Sequence, residues 1–119
     1  MSIISVILVL LVAAEFFYIM ALQTFATTSD KTSNLFKMTK QALQQDNLKT
    51  LMKNQGIYNG LLGVFLLYAL FFSNNAKELV ACILVYMIIV AIYGAVTSQK
   101  SILLKQGGLP ILALISLLF

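Results

Sequence analysis

Glu15 is the residue best placed to do chemistry in this sequence, because it lies inside an apolar run that extends from Ile3 to Ala26. A charged side chain at the centre of a membrane helix costs on the order of 3 kcal/mol on insertion scales, so such residues usually face the protein interior and find partners. We therefore expect the Glu15 carboxyl group to be either neutral or paired. A carboxyl group in an apolar wall can donate or accept a proton, which makes Glu15 the candidate catalytic residue.

Eight further polar residues are candidates for a ligand-binding site around Glu15. They come from four apolar segments and cluster toward one side, whereas the other halves of those segments are almost purely apolar. A spacing of three residues places Tyr18 on the same helical face as Glu15. Amide and phenol groups buried without a partner cost about 1 to 3 kcal/mol each, so they are expected to hydrogen-bond one another, a ligand or water. The predicted ligand-binding residues are Tyr18, Asn54, Gln55, Tyr58, Asn59, Tyr93, Thr97 and Gln106.

A purely structural interpretation of the same residues stays open. Tyrosines and asparagines near a membrane boundary are often interfacial belt residues, and Asn54 or Gln55 would also serve as a helix cap. Glu15 itself fits a role restricted to hydrogen bonding between helices. The combination of these residues, rather than any one of them, favours an intramembrane polar pocket that faces the cytoplasm.

The composition is that of a membrane protein. Hydrophobic residues make up 61% of the chain, charged residues only 10%, and the mean hydropathy is +0.95, which no ordinary soluble domain of this size shows. Four apolar segments approach the roughly 20 residues that a membrane-spanning helix needs. The predicted fold is all-α, a four-transmembrane-helix antiparallel bundle that forms a single membrane domain over residues 1–119. The spans are expected at residues 3–26, 55–72, 78–96 and 101–119.

The chain offers few side chains that could bind a metal ion or a metal-containing cofactor. It contains no histidine and one cysteine, Cys82, so zinc, haem and iron–sulfur ligand sets cannot be assembled from the chain alone. A hard cation held by carboxylate and amide oxygens stays open. We expect no metal and no cofactor, and the sequence assigns no role to Cys82.

Lysine placement predicts the orientation in the cell membrane. Seven of the eight lysines lie between the first and second spans or at the connection of the third to the fourth, where Lys105 falls in the first turns of the fourth span; only Lys77 lies elsewhere. Because positively charged short loops stay in the cytoplasm, both Lys-rich loops are expected there. The protein is thus predicted to be multi-pass with both termini outside. The first span is expected to be retained, since it lacks the basic region of a secretory signal and Glu15 interrupts it.

The segment between the first two spans has two open interpretations. Apolar residues recur between lysines and glutamines over residues 27–53, a pattern that fits a basic amphipathic helix at the inner lipid surface. It fits equally a cytoplasmic connector whose leucines pack against the ends of the spans. Ser29, Asp30 and Ser33 are candidate N-caps. Because no helix breaker closely follows Asp46, the second membrane helix is expected to begin in water.

Helix-breaking residues mark the entry to the last span. It contains Gly107, Gly108 and Pro110 near the end predicted to be cytoplasmic. Proline forfeits one backbone hydrogen bond and the glycines loosen the turn before it, so a kink or a non-helical entry is expected. The turn between the second and third spans, residues 73–75, is expected to face outward.

Three stretches of the sequence resemble a known family, the small bacterial membrane proteins grouped as DUF1304. They are AAEFFYIMALQTF (Ala13 to Phe25), NQGIYNGLLG (Asn54 to Gly63) and AIYGAVTSQKSILLKQGGLPILALI (Ala91 to Ile115), and the resemblance covers nearly the whole chain. The family pattern often places a histidine after the glutamate, where this chain has Phe16, so a role that requires an imidazole is not expected here. The resemblance implies the four-span architecture and the importance of these stretches, but no reaction, because the function of the family is unknown.

Three classes of function fit the sequence. In the first, the pocket binds a small amphipathic or lipid-like ligand, with or without proton transfer by Glu15. Asn59 and Gln55 would orient the ligand, and Tyr18 and Tyr93 would donate hydrogen bonds to it. In the second, the protein is a subunit of a proton-coupled transporter for a small solute. In the third, it is an accessory or immunity-type membrane protein without catalysis, and the polar residues only fix the packing of the bundle.

The expected partners follow from these classes. The lipid bilayer surrounds the chain, and a lipid-like small molecule would occupy the pocket. A homo-oligomer is required by the transport hypothesis, because four spans are few for a complete path. No nucleic-acid partner is expected.

Overall fold

The computed structural model describes all 119 residues, and it is helical throughout with no strand. The first helix passes directly into a turn of π-helix, Ala21–Phe25. The α-helices are α1 (Ile3–Met20), α2 (Asp30–Phe36), α3 (Lys40–Leu43), α4 (Asp46–Phe72), α5 (Ala76–Thr97) and α6 (Ser101–Ser116). The predicted all-α class is confirmed.

Three helical stretches are long and apolar enough to cross a membrane. They are Ile3–Phe25, Asp46–Phe72 and Ala76–Thr97, and the first and third agree with the predicted spans to within two residues. The second of these stretches, helix α4, begins at Asp46, as predicted from the absence of a helix breaker soon after that residue. Helix α6 has 16 residues, fewer than the roughly 20 that a span needs. The four-span bundle therefore stays a prediction.

The chain divides into two compact units. The terminal unit consists of Met1–Ala13 and Val64–Phe119, and the internal unit consists of Ala14–Gly63. Glu15 belongs to the internal unit. That all residues form a single membrane domain stays a prediction.

In the terminal unit, α5 packs along α6. Val80, Leu84, Met87 and Ala91 are buried and recur every three or four residues, the spacing of one helical face. Helix α6 begins at Ser101 and continues through its proline, so the expectation of a non-helical entry is wrong, while the kink stays a prediction.

Packing explains why α6 stays helical through Pro110. The ring removes one backbone hydrogen bond, because proline has no N–H. Pro110 is nevertheless buried together with Gly107 and Ala113, residues three positions away on either side. Burial of this face against other parts of the terminal unit offsets the missing bond.

In the internal unit, threonine hydroxyl groups hold α2 at the end of α1. The π-helical turn is closed by a hydrogen bond from the Ala26 backbone nitrogen to the Ala21 oxygen. The Thr32 hydroxyl lies 3.0 Å from the Leu22 carbonyl oxygen and 2.7 Å from that of Ala26. Thr32 is fully buried. Helix α2 is thereby tied through Thr32 to the end of the π-helical turn.

The loop between the membrane-length helices forms two short helices instead of one amphipathic helix. Ser29 caps α2 by accepting a hydrogen bond from the Thr32 backbone nitrogen, which confirms it among the three candidate caps. Lys37 ends α2 in the left-handed conformation, with φ of 51°. Thr39 then caps α3, whose Leu43 is fully buried. These features favour the connector interpretation, in which apolar side chains pack inside the protein.

Candidate functional site

Glu15 lies near the start of the internal unit, in the last turns of α1. The side chain is half-buried, and its oxygen Oε2 is buried and makes no hydrogen bond. An unsatisfied buried acceptor costs about 1 to 3 kcal/mol, and native proteins contain few of them. The donors that the sequence analysis expected around this oxygen are therefore not supplied by the protein.

The internal unit contains a hydrogen-bonded pair of amides. The Asn59 Nδ2 donates a hydrogen bond of 2.6 Å to the Gln23 Oε1. Gln23 is 1% exposed, and its Nε2 has only the thioether sulfur of Met52 within reach, at 3.9 Å. Thioether sulfur is a weak acceptor, so the Gln23 amide keeps unused donor capacity.

Gln23 is a residue that the sequence analysis missed. It lies in the π-helical turn, eight residues after Glu15. The extra width of a π-turn changes which side of the helix a residue faces, and such turns are frequent at functional sites. The available signal was a polar residue in an otherwise apolar run next to the threonine-rich end of the helix.

A second clamp joins the π-helical turn to α4 on the side of the lysine-rich loop. The Thr24 hydroxyl donates to the Lys53 carbonyl oxygen at 2.9 Å, and the Lys53 Nζ donates to the Thr24 carbonyl oxygen at 2.9 Å. The two bonds are reciprocal, so they fix the spacing of the two segments at this level. Lys53 is thus engaged away from Glu15.

Two glycines of α4 allow the segments to approach closely. Gly56 and Gly60 are four residues apart, the spacing of the small-residue motif common between membrane helices. A Cβ on Gly56 would lie 2.9 Å from the Gln23 Cβ and 3.0 Å from the Thr24 backbone nitrogen. A Cβ on Gly60 would overlap the sulfur of Met20. The amide pair therefore depends on glycine at these positions.

The predicted ligand-binding residues have different surroundings. In the internal unit, Asn59 is half-buried and takes part in the amide pair. The other four in that unit are exposed: Tyr18 (52%), Tyr58 (72%), Asn54 and Gln55. High exposure of Tyr58 favours the interfacial belt interpretation for it, whereas the exposed ring of Tyr18 lies on the same helical face as Glu15.

The remaining three predicted residues belong to the terminal unit. Tyr93 is 71% exposed, and Thr97 is exposed with its hydroxyl group bonded to the Tyr93 carbonyl oxygen at 2.9 Å. Gln106 is half-buried on α6. That these residues share one site with Glu15 stays a prediction.

The terminal unit also contains a hydroxyl cluster that the sequence analysis did not identify. Ser5 is 1% exposed, and its Oγ lies 2.8 Å from that of Ser116 and 3.1 Å from that of Ser2. Ser5 is thus hydrogen-bonded to both neighbouring hydroxyl groups. The cluster links the beginning of α1 to the end of α6.

No group of three or more acidic, cysteine or histidine residues is arranged to hold a metal ion. Cys82 is exposed on α5 and is not paired.

The helices and the buried carboxyl oxygen define the class of this protein: a small all-helical chain with apolar helices of membrane-spanning length and a polar group inside one of them. Residues 10–118 match the family described as "Protein of unknown function (DUF1304)", and the chain belongs to this family. The resemblance predicted from the three stretches is confirmed.

The chain is similar to a protein of Lactococcus lactis subsp. lactis, the "Uncharacterized protein YpaA". The two are 58% identical over 119 residues, which is 100% of each chain. No solved structure matches the chain.

Proposed function

We propose that this protein spans the cell membrane as a four-helix bundle and binds a small amphipathic or lipid-like ligand at Glu15, on the cytoplasmic side. The observation that carries the proposal is the buried Oε2 of Glu15, which makes no hydrogen bond. A ligand that donates a hydrogen bond to this oxygen would offset the cost of burying it.

The amide pair further along the same helical stretch supports a role for polar groups in orienting the ligand. Gln23 retains donor capacity, because its Nε2 faces only a sulfur atom. Asn59 is half-buried and holds the Gln23 oxygen in place. Both amides are fixed by the close approach of α4 at Gly56 and Gly60. Gln23 lies eight residues from Glu15, about 12 Å along a helix axis, so a ligand that extends from Glu15 to this level would meet amides whose orientation is already set.

The apolar surroundings favour a lipid-like ligand over a water-soluble one. Phe16, Ile19 and Leu22 are buried on the stretch that follows Glu15. The apolar chain of such a ligand would stay in the bilayer, out of water, while its head group reaches Glu15. The ligand would therefore reach the site from within the bilayer.

Proton transfer is the reaction that this site could add to binding. One carboxyl group can exchange a proton with a bound molecule without a metal. The other acidic residues of the internal unit, Asp30 and Asp46, are exposed in the loop region. Glu15 is therefore the residue on which any such chemistry would depend.

An accessory role without a ligand has one observation in its favour. Gln23 pairs with Asn59, and Thr24 and Lys53 exchange two reciprocal hydrogen bonds. Polar groups that only hold two helices together would form bonds of this kind. Glu15 takes no part in these bonds. The two proposals therefore differ in what they expect of Glu15 alone.

The test replaces Glu15 with glutamine and Glu78 with glutamine in separate variants. Both changes remove one carboxyl group, but Glu78 is exposed in the first turn of α5. Each protein is purified from membranes, and the bound small molecules are identified by native mass spectrometry. We expect the Glu78→Gln protein to keep a bound amphiphile that the Glu15→Gln protein loses. Equal occupancy in both, with only stability altered in Glu15→Gln, would support the accessory role instead.

A further inference from the structure

The lysines of the internal unit either bond groups other than Glu15 or lie far from it in the sequence. Its lysines begin at Lys31, and none lies in the helical stretch that contains Glu15. Lys40 forms an ion pair with Asp30, and the Lys53 Nζ bonds the Thr24 carbonyl oxygen. Thr24 lies nine residues beyond Glu15, roughly 13 Å along a helix axis. No lysine of this unit bonds the Glu15 carboxyl group.

An unpartnered carboxyl oxygen in apolar surroundings selects strongly among head groups. A neutral hydroxyl group can donate one ordinary hydrogen bond. An ammonium group donates a charge-assisted bond that is roughly twice as strong, and the weak screening inside the protein strengthens the attraction further. A carboxylate or phosphate head group would be repelled by the ionised form of Glu15, the form that an ammonium partner stabilises. The ranking is therefore ammonium, then hydroxyl, then anion.

Tyr18 adds a second feature that suits a cation. It lies three residues after Glu15, which places it one turn along on the same helical face. Its side chain is 52% exposed, so the ring remains accessible to a molecule at this face. A cation near the face of an aromatic ring is attracted by about 0.5 to 2 kcal/mol.

We infer that the group recognised at Glu15 is the ammonium head of an amphipathic amine whose apolar chain lies in the bilayer. This inference rests on the proposed function. The net charge of +4 and the lysine-rich loop act against it, because they attract anions and repel cations from the aqueous side. Any preference for a cation must consequently arise from Glu15 itself, and the ligand would enter through the lipid.

The experiment uses three probes with the same chain: dodecylamine, dodecanol and dodecanoate. The full-length protein is placed in phosphatidylcholine nanodiscs, which carry no net charge, and retention of each radiolabelled probe is measured against discs without protein. We expect dodecylamine to be retained about tenfold more tightly than dodecanol. The Glu15→Gln variant should lose this preference, and Glu78→Gln should keep it.

The possible failures are distinguishable. Retention of dodecanol or dodecanoate that depends on Glu15, without preference for the amine, overturns the ammonium inference and leaves the proposed function standing. Retention of no probe above lipid alone overturns both. An equal loss of amine retention in Glu15→Gln and Glu78→Gln would show an effect of total charge and overturn the inference.

A second measurement uses the unaltered chain, so that it does not depend on the folding of a variant. Dicyclohexylcarbodiimide, an apolar reagent that modifies carboxyl groups in membranes, is added with and without each probe, and modification of Glu15 and Glu78 is quantified by mass spectrometry. Because carbodiimide would couple the primary amine dodecylamine to the activated carboxyl group, the amine probe here is dodecyldimethylamine, a tertiary amine, which should slow modification of Glu15 and not that of Glu78. Equal protection by dodecanol would overturn the inference.

Discussion

Glu15 and Gln23 both carry buried polar atoms on the same helical stretch, but only Gln23 has a hydrogen-bond partner for its side-chain oxygen. The Gln23 oxygen receives a short hydrogen bond from Asn59, whereas the Glu15 Oε2 receives none. A fold that supplies a partner to one polar group can in principle supply one to another eight residues away. The absence of a partner at Glu15 is therefore the feature for which a ligand gives a physical explanation.

The amide pair can be tested by a double-mutant cycle. Asn59→Leu leaves the Gln23 oxygen buried without a donor, so the free energy of unfolding should fall by about 1 kcal/mol. The double variant Gln23→Leu with Asn59→Leu should recover part of this loss, because both polar groups are then removed. Unfolding by SDS titration in mixed micelles, followed by circular dichroism, measures each value.

The exposed amide of Asn54 provides the control for this cycle. Asn54→Leu should change the free energy of unfolding by less than about 0.5 kcal/mol, as is usual at surface positions. Strictly additive losses in the Gln23 and Asn59 variants would contradict the coupling that the 2.6 Å hydrogen bond implies.

Part of the site could be predicted from residue types alone. Glu15 and Asn59 stood out because polar groups are costly in apolar segments. Gln23 did not, because its position depends on a π-helical turn that regular helical spacing does not anticipate. The exposure of Tyr58 and Tyr93 could not be predicted from the sequence either, because tyrosine occurs both at membrane interfaces and in buried positions.

At the scale of elements, the contact of the π-helical turn with α4 depends on glycine. Gly56→Ala places a Cβ against backbone and Cβ atoms of Gln23 and Thr24, neighbours that cannot move aside easily. Overpacking of this kind costs about 1 to 3 kcal/mol, and the variant should lose that much of its free energy of unfolding. The same SDS titration measures the loss.

Gly108→Ala is the matched control for the glycine prediction. Gly108 is also helical, but a Cβ there would meet nothing within 4 Å. Alanine is favoured over glycine in a helix by up to about 1 kcal/mol, so this variant should be neutral or more stable. A Gly56→Ala protein as stable as Gly108→Ala would contradict the close approach of α4 to the π-helical turn.

Helix existence was predictable, and the finer course of the loop was not. Long apolar runs and the uninterrupted stretch after Asp46 indicated α1, α4 and α5 with nearly correct bounds. The break of the loop at Lys37 depends on a left-handed backbone conformation at a residue type that rarely adopts it. The continuity of α6 through Pro110 likewise depends on packing that its own residues do not reveal.

At the scale of the whole molecule, the central prediction concerns topology. Exposed positions Asn74 and Gln41 lie in loops that lysine placement assigns to opposite sides. Single cysteines at these positions, in a Cys82→Ser background, should react differently with a membrane-impermeant maleimide. Asn74→Cys should be labelled on intact cells, and Gln41→Cys only after lysis.

The labelling pattern also tests the fourth span. Helix α6 is short, but Leu117, Leu118 and Phe119 continue its apolar character to the C-terminus. If α6 crosses the membrane, a cysteine added after Phe119 should be labelled from outside, like Asn74→Cys. Labelling of that position only after lysis would leave three crossings and contradict the four-span proposal.

The most direct test of a ligand at Glu15 is the infrared difference spectrum of its carboxyl group when an amphiphile is added. The spectrum is recorded on protein in phosphatidylcholine nanodiscs with dodecylamine or dodecanol, and the Glu15 band is assigned by its loss in Glu15→Gln. We predict that at least one of these probes shifts the Glu15 band, because a hydrogen bond reaches the unpartnered oxygen. If neither probe changes the Glu15 band while the protein remains folded, the proposed function is contradicted.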